Sequence, residues 1–84
     1  MKLIVITKGD GPEMRGALEL AANIANEGYE VETIDWDSDE AASIAAIHDI
    51  YSQPAFLVLA DNGAQIEMWQ GDSLPLASDI EHMM

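Results

Sequence analysis

The chain has no cysteine among its 84 residues, and Lys2, Lys8 and Arg15 are its only Lys or Arg side chains, against sixteen acidic ones. Aromatic residues are also sparse: two Trp, two Tyr and one Phe. Each shortage excludes something. Without a thiol there is no disulfide, no thiolate nucleophile and no cysteine-held zinc or iron–sulfur cluster, and cysteine usage gives no sign of secretion. A formal net charge of −13 repels nucleic-acid phosphates and anionic membrane surfaces, so neither is expected as a partner. The acids fall in every segment rather than in one stripe, which favours a solvated surface over mimicry of DNA. The apolar stretch of MKLIVIT is too short for a signal h-region or a membrane span. The expected compartment is therefore the cytoplasm.

A chain of this length has room for one domain, residues 1–84, and one core. Leu3-Ile4-Val5-Ile6 is a continuous apolar run rich in β-branched residues, the pattern of a strand covered on both faces. After Gly9, Gly11 and Pro12, the residues Met14, Ala17, Leu18, Ala21, Ile24 and Ala25 recur at helical spacing from Glu13 to Glu27, and Gly28 is a natural stop. Residues 29–36 read as a second strand, with Glu30 and Glu32 suited to an edge. Asp37 and Glu40 have the spacing of a capping box for a helix through about Tyr51 that buries Ile44, Ile47 and Tyr51. Pro54 opens a third strand, Ala55 to Leu59. Asp61-Asn62-Gly63 is a hairpin turn in which Asn-Gly supplies positive φ, and Gln65 to Gln70 is the returning strand. A short helix with Leu76, Ile80 and Met83 closes the chain. The order is β-α-β-α-β-β-α. The helix-linked first pair should be parallel and the last pair antiparallel, giving an α/β fold with a four-stranded mixed sheet between helices.

This order, and the local residues with it, resembles the thioredoxin fold in its glutaredoxin-sized form. Thr7-Lys8 followed by Gly11-Pro12-Glu13-Met14 and Ala17 is similar to the family's T-K-x-x-C-P-x-C-x-x-A, with Gly11 and Met14 in the two cysteine places. His48-Asp49-Ile50-Tyr51-Ser52-Gln53-Pro54 resembles Y-G-I-x-x-x-P, whose proline is cis and faces the active site. Asn62-Gly63 and Gly71 match the family's hairpin turn and groove glycine, and Met68-Trp69-Gln70-Gly71 is similar to the W-S-G segment of glutaredoxin-like electron donors. The family's reaction is attack of a thiolate on a disulfide, the thiol being acidified at a helix N-terminus. Glycine has no side chain, and a thioether forms neither a thiolate nor a mixed disulfide. The expectation is therefore a domain that does not catalyse thiol–disulfide exchange and is not an enzyme.

The resemblance also supplies candidate binding residues. Pro54 is expected cis, with Gln53 offering its backbone to an extended ligand beside Gly11, Pro12 and Met14. Lys8, Asp72 and Ser73 fall where glutaredoxins hold glutathione, although Trp69-Gln70 replaces the family's Gly-Gly and as ordinary loop charges they need no ligand. Trp69, with Gly71, is placed at the rim of the groove as an anchor for a protein partner, since Trp is enriched at binding hot spots; Trp36 is a weaker candidate for the same role. The other motifs fail on spacing. Asp35, Asp37 and Asp39 start like a calcium loop, but Glu40 stands at the required glycine and Ala46 at the closing glutamate. His48 and His82 have no partner at zinc-ligand spacing, and no phosphate loop follows Gly9-Asp10-Gly11. No cofactor or metal is expected. The leading expectation is a module that holds a protein or peptide in the groove, as a monomer or weak homodimer. The alternatives are a glutathione-like small-molecule binder and a self-associating structural subunit.

Overall fold

The computed structural model describes residues 1–9, 11–71 and 74–84. Its elements run β1 (Lys2–Thr7), α1 (Pro12–Asn26), β2 (Val31–Asp35), α2 (Asp39–His48), β3 (Ala55–Leu59), β4 (Gln65–Gln70) and α3 (Ala77–Met83). The sheet order is β2-β1-β3-β4. β1 pairs parallel with β2 and antiparallel with β3, and β3 pairs antiparallel with β4.

The two unbroken apolar runs take the two central places, where side chains on both faces leave water. Alternation sorts them into two cores. Leu3, Val5, Phe56 and Val58 face one way and pack with Ala17, Ala21 and Ile24 of α1 and Ile80 of α3. Ile4, Ile6, Ala55 and Leu57 face the other way, against Ile34, Ala41 and Ile50. The outer strands are less enclosed; only Ile34 of β2 is buried, and no residue of β4 is.

Several boundaries and burials differ from the sequence reading. The second strand is shorter than 29–36; Tyr29 and Trp36 lie outside it and pack against opposite cores. In α1, Ala25 is exposed and Leu18 only half-buried, because the buried stripe is Met14, Ala17, Ala21 and Ile24. The cap of α2 is Ser38 rather than Asp37: the Ser38 hydroxyl accepts the Ala41 N–H at 3.1 Å, while the Asp37 N–H donates to the carboxylate of Asp35. α2 also stops early. Asp49 takes left-handed φ 57, ψ 48 at its C-cap, a conformation that Asp tolerates better than most residues. Tyr51 therefore lies beyond the helix and is 76% exposed while Ile50 turns inward; Ile47 is still helical but stands off the inward stripe of Ala41, Ile44 and Ala45 and is 74% exposed. In the hairpin, Gly63 alone takes positive φ; Asn62 uses its side chain instead, accepting the Ala64 N–H at 3.0 Å. Leu76 is exposed at the start of α3, where its N–H donates to Asp79.

The charge reading also gains detail. Lys2 Nζ lies 2.6 Å from Glu32 and 3.8 Å from Glu30, bridging the β1–β2 edge. Hydrogen bonding to Lys2 holds the Glu32 carboxyl below its ordinary range, and the N-terminal ammonium does the same to Asp61. Glu40 is pushed up by its hydrogen bond with Glu32, and Glu81 by its hydrogen bond with Glu27. No described helix is long and apolar enough to cross a membrane.

The signs of these shifts define a stability profile. Glu40 and Glu81 bind protons more readily folded than unfolded, so acidification through the region just above the ordinary glutamate value, about 4.3, adds stability. Glu32 and Asp61 contribute stability above their unfolded values and lose it as pH falls through their lowered folded values. The thermal midpoint followed by circular dichroism should therefore rise as pH falls from 7 toward the ordinary carboxylate values, about 4 to 4.5, and fall as pH drops further. High salt should flatten the profile, because all four groups are solvated. A midpoint falling steadily from pH 7 would contradict this assignment.

Candidate functional site

The turn between β1 and α1 faces the segment that enters β3. Gly11 is the N-cap of α1 in extended backbone, with no side chain to cap the first turn, and Pro12 occupies the start of the helix, where its missing N–H costs nothing. Glu13 places a carboxylate in the first turn, the favourable end of the helix dipole for an anion. Its Oε2 would lie 3.4 Å from a Cβ at Gly11, so the acid folds back over the cap.

Met14 occupies the second of the two places that hold cysteine in the resembled motif. It is buried, and its Sδ accepts the Lys8 N–H at 3.3 Å. The sulfur is thus engaged by the backbone of the turn, as a weak acceptor with no proton to lose.

Opposite the turn, the Gln53-Pro54 peptide is cis and Pro54 is buried. The segment before it has no regular structure, and β4 fixes it. The Gly71 N–H donates to the Pro54 carbonyl at 3.0 Å. Gln70 Oε1 accepts the N–H groups of Tyr51 at 2.6 Å and Ser52 at 3.0 Å, and its Nε2 donates to the Asp49 carbonyl at 3.3 Å. One side-chain amide therefore satisfies three backbone groups between the end of α2 and Pro54. Gly71 has φ +72, and a Cβ there would meet Ser52 Cβ at 3.4 Å. Glycine allows both the turn and the close approach.

Between these walls lies an open recess of about 440 Å³, lined by Lys8, Glu13, Met14, Gln53, Pro54, Gly71 and Leu74. Lys8, Met14, Gln53, Pro54 and Gly71 from the sequence reading thus meet in one place. Gly11 and Pro12 form the helix start beside it without lining it. Trp69 does not: β4 alternation turns it to the α1–α3 side, and it lines a separate recess with Ser78, Asp79, His82 and Met83. Asp72 and Ser73 lie outside the described residues. Trp36 packs against the α2-side core. The lining residues Glu13 and Leu74 and the clamp residue Gln70 were not picked out from sequence. Period-two alternation from Trp69 was the available signal for Gln70, placing it on the side of α2. Among the described residues no group of three or more His, Asp or Glu side chains could hold a metal ion.

No protein-family model matches the chain, and no curated protein sequence matches it. Solved structures do. Thioredoxin 1 of the thermophilic eubacterium Thermosipho africanus superposes with a TM-score of 0.73 at 19% identity, over 99% of this chain and 89% of that one. A thioredoxin-like protein of known crystal structure gives 0.60 at 19% identity, over 98% and 99%. A Thermus thermophilus thioredoxin gives 0.64 at 13% identity, over 98% of this chain and 69% of its own. The chain therefore has the thioredoxin fold, in a form without cysteine.

The clamp predicts that Gln70→Ala frees three backbone groups at the surface, costing about 1–2 kcal/mol in denaturant unfolding. Amide exchange at Tyr51 and Ser52 should accelerate by about tenfold or more, with core strand amides slowed or quickened only in step with global stability. Unchanged exchange at these two amides would remove the clamp from the account. Gly71→Ala, strained at positive φ, should cost a similar amount of about 1–2 kcal/mol.

Proposed function

We propose that this protein is a non-catalytic thioredoxin-fold domain that holds an extended segment of a polypeptide partner in the recess beside Pro54. The observation that carries the reading is the lining of that recess. Among the described residues, Met14, Pro54 and Leu74 offer apolar surface, Lys8 and Glu13 offer one charge of each sign, and no hydroxyl lines it; the chain has no thiol. Such a wall can orient a chain by contact and hydrogen bonding, and lacks the nucleophile for thiol–disulfide exchange. A volume of about 440 Å³ suits one or two side chains of an extended segment. The net charge of −13 favours partners that are neutral or basic around the bound segment.

Lys8 alone supports the small-molecule alternative, since its acidic counterpart Asp72 lies outside the described residues. The polypeptide reading needs neither residue to act as a glutathione clamp.

Selection of linear peptides on the immobilised protein, followed by titration into the isotopically labelled chain, tests this reading. Selected peptides should shift the amides of Lys8, Met14, Gln53 and Gly71. Lys8→Glu and Leu74→Asp, both at exposed positions, should each weaken binding by about tenfold, or about 1.4 kcal/mol. Undiminished binding by both variants, or recess shifts with millimolar glutathione and none with any peptide, would overturn the proposal.

A further inference from the structure

β4 ends the sheet, so half of its backbone groups face away from β3. The register shows which half. The Gly71 N–H bonds the Pro54 carbonyl, so by antiparallel alternation Trp69 with Phe56 and Glu67 with Val58 are the hydrogen-bonded pairs. Met68 and Gln70 therefore direct their N–H and C=O groups outward. The outward Met68 N–H donates to Glu67 Oε1 at 2.9 Å, which draws that carboxylate along the free edge.

The two edges of the sheet differ in protection. β2 carries Glu32 and Asp35, with Glu30 just before it, and charge of this kind discourages strand pairing. β4 has Glu67 as its only charged residue. Glu67 and Trp69 share a face of β4, and Trp69 lines an open recess of about 560 Å³ with Asp79 and His82 of α3. The Glu67 carboxylate thus lies along the row of outward backbone groups, and Asp79, whose carboxylate also accepts the Leu76 N–H, lines the recess beside the indole.

We propose that the free edge of β4 accepts an extended basic peptide as an added strand, with a lysine or arginine side chain lying over Trp69 between Glu67 and Asp79. The added strand takes the Met68 N–H from Glu67 and pairs at Met68 and Gln70, and the released Glu67 carboxylate, the indole face and Asp79 select the cation. Charge decides the occupant. A second copy of this chain would bring another net charge of −13 to the interface, whereas a basic peptide is drawn to it. This surface is separate from the recess beside Pro54, and the inference does not rest on the function assigned to that recess.

The test uses the full labelled chain and short blocked peptides of alternating Lys and Val, of alternating Glu and Val, and of Lys and Val with a central proline. The Lys/Val peptide should slow exchange of the Met68 and Gln70 amides by about tenfold or more and shift the Trp69 indole N–H, leaving the Lys8 and Met14 amides in place. The Glu/Val and proline-containing peptides should do neither. Glu67→Lys should weaken Lys/Val binding by about tenfold or more. Four results would each overturn the inference: unchanged exchange at Met68 and Gln70, an equal response to the Glu/Val peptide, undiminished binding by Glu67→Lys, or protection of the same amides through dimerisation of the chain alone.

Discussion

The hydrogen bonds that β4 sends to the segment before Pro54 hold the candidate site together. Residues 49–53 leave α2 through a left-handed Asp49 and reach β3 without regular structure. They carry backbone groups that neither helix nor sheet satisfies. Gln70 supplies partners for three of them, and the Gly71 N–H fixes the Pro54 carbonyl one step later. One wall of the recess therefore belongs mechanically to the sheet. The other wall belongs to it as well, since Met14 is buried at the start of α1 and its sulfur is tied to the backbone of Lys8. Both walls descend from the two central strands, and among the described residues no side-chain hydrogen bond joins Lys8 or Met14 to the segment before Pro54.

This arrangement separates scaffold from chemistry. A helix N-terminus without a side-chain cap and a buried proline opposite would suit a thiolate at Gly11, whereas the Glu13 carboxylate folded over the cap would repel one. The residues present give the same space a different character: a backbone cap, a thioether already engaged, and opposite charges at Lys8 and Glu13. What remains is a shaped surface on a strongly acidic body. Repulsion among sixteen acids is spread over that body, and local pairs such as Lys2 with Glu32 relieve little of it. Partners that bring positive charge gain from it.

Much of the architecture was legible because the strongest signals are the longest. Leu3–Ile6 and Ala55–Leu59 are continuous apolar runs, and only central strands bury both faces of such a run; every residue of the two is buried except half-buried Leu59. Order and pairing followed from the connections, and the neighbourhood of Lys8, Met14, Gln53, Pro54 and Gly71 followed from the resemblance. The failures came where a single backbone torsion or one step of alternation decides. No glycine marks the end of α2, so helical spacing carried Tyr51 into a core that it never enters, and Ile47 falls outside the stripe of Ala41, Ile44 and Ala45 that α2 turns inward. Trp69 was placed by its neighbours in sequence, yet strand alternation turns it to the opposite side of the sheet from Gln70. The clamp made by Gln70 depends on the path of residues 49–52, which no periodicity encodes.

The central claim is that the start of α1 sets residues 11 and 14 at the spacing of a disulfide pair, in a chain that carries no thiol at either place. In a helical first turn, Cα atoms three residues apart are about 5 Å from one another, inside the range a disulfide spans. A side chain at Gly11 would meet only the movable end of Glu13. The direct measurement is the oxidation state and fold of the double variant Gly11→Cys, Met14→Cys after exposure to mild oxidant. The account predicts a folded protein with one intramolecular disulfide that reduces and re-forms reversibly. A folded protein whose two thiols remain free would contradict it.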